Sequence, residues 1–201
     1  MTEHGEGRRE TPMSLLELIA AADARGLAAS GAACLDRCLP QPAEGADPDP
    51  LRPLWAGCAD PRDWQDRLTE ARAALDGLPG APENLLRIAE LLGEAPADRS
   101  GEELRTWADA CSVLALDIHR AHDAARADAA ELVERCRAGD PAGAGPLLSG
   151  EAARQVRILE MLAEIGDGAP TGAGLRQVMD VSTEGQRVLR AAASRRARVR
   201  G

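Results

Sequence analysis

Aromatic side chains are almost missing from this chain of 201 residues, which has three Trp and neither Tyr nor Phe. Lysine is missing too, so all 24 basic side chains are Arg. Beta-branched or aromatic runs of strand length do not occur, which argues against an all-β or α/β sheet protein. No window approaches the ~18 uncharged apolar residues of a membrane span. The best candidate, residues 13–33, is interrupted by Glu17, Asp23 and Arg25. A secretory leader is not expected either: Arg8 and Arg9 precede that stretch, but Glu3, Glu6 and Glu10 spoil a basic start. Five Cys are an odd number without paired-motif spacing. They read as reduced thiols in a cytoplasmic protein.

What is present is helix-forming material. Ala supplies about a fifth of the chain and is the best helix former. A core without Phe or Tyr has to be built from Leu, Ala, Val and Ile. The 33 acidic side chains outnumber the basic ones for a net charge of −9. An acidic surface repels nucleic acid and anionic membranes. The composition resembles that of Ala- and Arg-rich actinobacterial cytosolic proteins, a resemblance that covers no motif and implies no activity.

Apolar spacing and punctuation divide the chain. Thr11-Pro12, or a capping box of Ser14 and Glu17, opens a helix that continues to about Leu39. Residues 40–50 hold four prolines and three acids and read as a solvated loop. Asp60-Pro61 starts a helix with Trp64, Leu68, Ala71 and Leu75 on one face. Another runs from about Pro82 to Gly93. Ser100 caps the longest, expected to reach about Ala138 on a seam of Leu104, Trp107, Cys111, Leu114, Ile118, Ala121, Ala125 and Leu132. Ser149 is positioned to cap the next. A last segment carries Leu175, Val178, Met179, Val188 and Leu189, with an interruption expected around residues 182–185. The expectation is an all-α fold, a single bundle of five or six helices over residues 11–193. A disordered tail of residues 1–10 precedes it, and an Arg-rich tail of residues 194–201 follows.

Few residues carry chemistry. His119, His122 and Asp123 lie three and four apart in the long helix, a spacing at which imidazole and carboxylate ligate a metal. No second set of ligands is evident; Glu160 and Glu164 are the first carboxylates to check for convergence on the histidines. The bland alternative is one partly buried and one solvated histidine. Cys34, Cys38, Cys58, Cys111 and Cys136 read as small packing residues, and Trp64 and Trp107 as core anchors. The glycines of residues 166–174 lack both the Lys of a phosphate loop and a preceding strand. The last fifteen residues hold six Arg and no acid. Nucleic acid is therefore an expected partner only through Arg195, Arg196, Arg198 and Arg200.

Three functions follow as expectations. The leading one is a non-catalytic protein acting through protein–protein contact, as a homodimer or accessory subunit. The second is a metal- or small-molecule-binding bundle, with an enzyme as one form of it, using His119, His122 and Asp123. The third is a regulator touching nucleic acid through its Arg-rich end.

Overall fold

A computed structural model describes residues 12–42, 49–76, 81–123, 129–165 and 171–200. Its helices are α1 (Leu15–Ala21), α2 (Ala24–Cys38), α3 (Arg52–Ala59), α4 (Trp64–Asp76), α5 (Glu83–Gly93), α6 (Gly101–Ala121), α7 (Ala129–Arg137), α8 (Pro146–Ile165) and α9 (Thr171–Arg200), with a 3-10 turn at Pro61–Asp63. The fold is all-α, and no strand occurs among the described residues. The helices there number nine rather than five or six. The expected tail of residues 1–10 and seam residue Ala125 lie outside the described residues.

The larger number has local causes. The first expected helix is two, because Asp23 ends one and caps the next: its carboxylate accepts from Gly26 N at 2.6 Å. The capping box at Ser14 is formed, with Glu17 N donating to Ser14 Oγ and Ser14 N donating to the Glu17 carboxylate. Helix α3 lies between the proline-rich residues 40–50 and the helix start at Asp60-Pro61, where no helix is expected. Pro53 falls in its first turn, where a missing N–H costs nothing. The long helix ends at Ala121 rather than Ala138, because Asp123 leaves it to cap α8. The two carboxylate oxygens accept from Leu147 N and Leu148 N at 3.0 and 2.9 Å. Ser149, the expected cap, lies inside α8 and donates to Gly145 O.

Helix α2 is the axis of the fold. It packs against α6, α9, α3, α8 and α5. Ala28, Ala29, Ala32 and Ala33 are wholly buried on it. These small side chains let the neighbouring helices approach closely. Gly31 is the extreme case: a Cβ there would lie 2.6 Å from the Trp107 ring. Trp107 meets Trp64 edge to face, with centroids 6.0 Å apart. Both indoles are buried, and their N–H groups donate to Leu91 O and Pro96 O. The anchor role expected of these two Trp is what the fold shows.

Helix α9 runs unbroken through residues 182–185. The small and polar residues that look like an interruption are its contact with α2. Ser182 Oγ donates to the Asp36 carboxylate at 2.7 Å, and Gln186 Nε2 donates to Asp36 O at 2.9 Å. A Cβ on Gly185 would lie 2.5 Å from Arg37 Cδ. No helix among the described residues is long and apolar enough to cross a membrane.

Candidate functional site

Among the described residues, a charged cluster and two open cavities, one between α5 and α6 and one of about 280 Å³ between α1, α2 and α8, have the chemistry or the shape to act. The cluster lies inside the bundle. Arg37 comes from α2, His119 and Ser112 from α6, and Glu151, Arg154 and Gln155 from α8. The Arg37, Glu151 and His119 side chains have no exposed surface. Arg37 Nε donates to both Glu151 oxygens at 3.0 Å, and Nη2 donates to Oε1 at 2.6 Å. Gln155 Nε2 donates to the same Oε1 at 3.0 Å, and Ser112 Oγ donates to Gln155 Oε1 at 2.6 Å. Arg154 Nη1 lies 3.6 Å from Glu151 Oε2.

Burial alone would raise the Glu151 carboxyl, but the Arg37 guanidinium and the hydrogen bonds around it hold it down to about 2. Burial also depresses the His119 imidazole below its ordinary value, with Glu151 opposing. Its Nδ1 faces Ala115 O at 2.8 Å, an oxygen that can only accept, so Nδ1 carries the proton. In the neutral ring, Nε2 then turns a lone pair toward Glu151 Oε2, 3.5 Å away. The Cys34 thiol, 3.5 Å from Arg37 Nη2, is pushed up to about 12 by burial and is not a nucleophile near neutral pH.

A cavity of about 10 Å³ adjoins the cluster, lined by Ser30, Cys34, Arg37, Ser112 and Gln155 among others. That is room for about one water molecule, and no substrate fits. A cation is poorly served as well, because the Glu151 oxygens already hold a permanently charged guanidinium.

The three residues singled out as metal ligands are not brought together. His119 points into the cluster. The half-buried His122 faces Ile118 O through Nδ1 at 2.9 Å, and Asp123 is committed to the α8 cap. Among the described residues, no three His, Cys, Asp or Glu side chains are grouped to hold a metal. A carboxylate from another helix does reach His119, but it is Glu151. Glu160 and Glu164 are exposed.

Sequence reasoning missed Arg37, Glu151 and Gln155, although a signal was there. Leu148, Glu151, Ala152, Gln155, Ile158, Leu159 and Leu162 follow one stripe of 3- and 4-residue steps. A Glu and a Gln on that stripe have to be buried, and therefore partnered. All five cysteines are buried and free, as expected of packing residues.

The second place is open. Helices α5 and α6 run antiparallel, with Arg87 paired to Asp117 at 3.1 Å near one end and Trp107 bonded to Leu91 O nearer the other. Between them lies a groove of about 450 Å³. Its apolar surface is Leu91, Ala110, Val113 and Leu114, and Arg87, Glu90 and Glu94 edge it. On the far side of α5, Leu86 is 58% exposed, the most exposed of the large apolar side chains described.

The C-terminal arginines divide between two states. Arg190 donates to Leu39 O and Pro40 O, and Arg196 donates to Ala121 O, so both serve the fold. Arg187, Arg195 and Arg198 are exposed, and the side chain of Arg200 lies outside the described residues. No protein-family model matches this chain, and neither a curated protein nor a solved structure matches it.

Proposed function

We propose that this is a non-catalytic helical protein that acts by binding a helix of another protein in the α5/α6 groove. The observation behind this reading is a contrast of access. The side chains able to do chemistry are sealed around a cavity of about 10 Å³. The groove is open and about 450 Å³ in volume, with Leu91, Ala110, Val113 and Leu114 along it and Arg87, Glu90 and Glu94 at its edge. Apolar surface left between two packed helices, with charged residues along its edge, is the form that helix-in-groove recognition takes. Size supports the same reading. At ~1.5 Å per residue, the stretch from Arg87 to Glu94 that lines the groove offers a track of roughly two turns.

The test is site-resolved photocrosslinking in the cell that makes the protein, with benzoylphenylalanine in place of Val113 or of the exposed Arg157 on α8. The expected result is a heteromeric adduct from position 113 that is absent from position 157 and lost when Ala110→Arg fills the groove. No adduct from position 113, or equal adducts from both positions, contradicts the proposal.

A further inference from the structure

We infer that the helix received by the α5/α6 groove is a basic amphipathic one, with arginine or lysine along the edge that lies over α5; this rests on the groove being the contact surface. The argument starts from the surface pattern of α5. Leu85, Ile88 and Leu92 face the core. Glu83, Glu90 and Glu94, seven and four residues apart, are exposed and form one crest on the opposite side. No cation of the described residues is ion-paired to them. The other carboxylates near the groove are already engaged: Asp117 with Arg87 and Arg120, and Asp109 with Arg137. The groove therefore has an apolar surface and one edge on which Glu90 and Glu94 are the available charges, the Arg87 beside them being paired with Asp117.

That pattern discriminates among occupants. A second copy of the chain meeting this one across a two-fold axis along α5 would set carboxylate crest against carboxylate crest, and juxtaposed like charges suppress association. The exposed arginines of α9 in a second copy have the right sign but the wrong surface. Between Arg187 and Arg195 the exposed positions of that helix are Ala191 and Ser194, which cannot fill an apolar groove. Nucleic acid is repelled by the crest, and a short acidic helix is as well. What fits is a helix with large apolar side chains at i, i+3 or i+4, and i+7 to meet Leu91, Val113 and Leu114. Its cationic residues, one or two positions around the helix, would reach Glu90 and Glu94. Ala110 leaves space for its backbone to come close.

The probe is a synthetic helix of roughly fourteen residues with Leu on one stripe and Arg along the adjoining edge. Its binding to the full chain is followed by fluorescence anisotropy at about 50 mM and about 500 mM salt. Two control peptides carry Glu in place of Arg, or Ser in place of Leu. The expected result is that only the Arg/Leu peptide binds. Its affinity should fall ~10-fold or more at high salt and in the double variant Glu90→Arg/Glu94→Arg, which should instead gain affinity for the Glu/Leu peptide. Both substitutions are at exposed positions, and circular dichroism verifies the fold. If the Arg and Glu peptides bind equally, charge reversal changes nothing and Ala110→Arg abolishes binding, the groove stands and the basic partner falls. If no peptide binds, or Ala110→Arg has no effect on binding, the groove falls with it.

Discussion

Burying Arg37 and Glu151 together removes two charges from water, and several close hydrogen bonds return part of that cost. Breaking the pair is then far worse than replacing it. Glu151→Gln leaves a guanidinium uncompensated in the core and is expected to cost about 3–5 kcal/mol in urea unfolding. The double variant Arg37→Met/Glu151→Met should lie within about 1–2 kcal/mol of the wild type. Equal losses in both variants would mean that removing the uncompensated guanidinium regains nothing, which contradicts this account. The same group sets an acid limb. A carboxyl held at about 2 in the fold and near 4.5 when unfolded stabilises the fold fully above about 4.5, and that stabilisation is lost as pH falls toward 2. The depressed His119 imidazole has the same sign from its ordinary value of 6.5 downward, since the unfolded chain takes up that proton more readily. Unfolding titrations across pH should show stability falling with acid, with a flatter limb below about 4.5 in Glu151→Gln. At this scale the sequence was readable for single-purpose residues such as Trp64, Trp107 and the cysteines. It was opaque for the cluster, because Arg37, His119 and Glu151 lie on three helices and periodicity tells only which face each occupies.

Helix ends decide how many elements the chain has, and two aspartates control most of that. Asp23 and Asp123 each sit in an apolar pattern that would otherwise continue, and each caps a helix start. Asp23 caps the helix that follows it immediately, whereas Asp123 reaches across to α8. A local cap can be read from sequence; a cap donated from twenty-four residues away cannot, so α6 and α7 look like one helix. Removing this cap tests the role directly. Asp123→Ala is expected to destabilise the fold by about 1–2 kcal/mol in chemical denaturation, with a smaller loss for Asp123→Asn. A neutral Asp123→Ala would show that α8 does not depend on it. The converse error occurred in α9, where Ser182 and Gly185 have the composition of a break but serve as the contact with α2. Propensity describes a helix in isolation, and tertiary contact overrode it here.

The architecture at the level of the whole molecule follows from what the chain has to build with. Without Phe or Tyr, close packing depends on Ala-rich helix faces, and α2 at the centre is the result. The all-α class was legible because it depends on composition and period. The proposed contact surface was not, because an open groove is defined by the residues that fail to be covered, and no local pattern announces them. The central claim is that polar chemistry is enclosed for the sake of the fold while the outside does the work. A native mass spectrum of the protein purified without chelators tests it most directly. The account predicts the mass of the bare polypeptide, alone or with a protein partner, and the same ligand-free state for His119→Ala. A stoichiometric mass excess matching a metal ion or small molecule, lost in His119→Ala or Glu151→Gln, would contradict it.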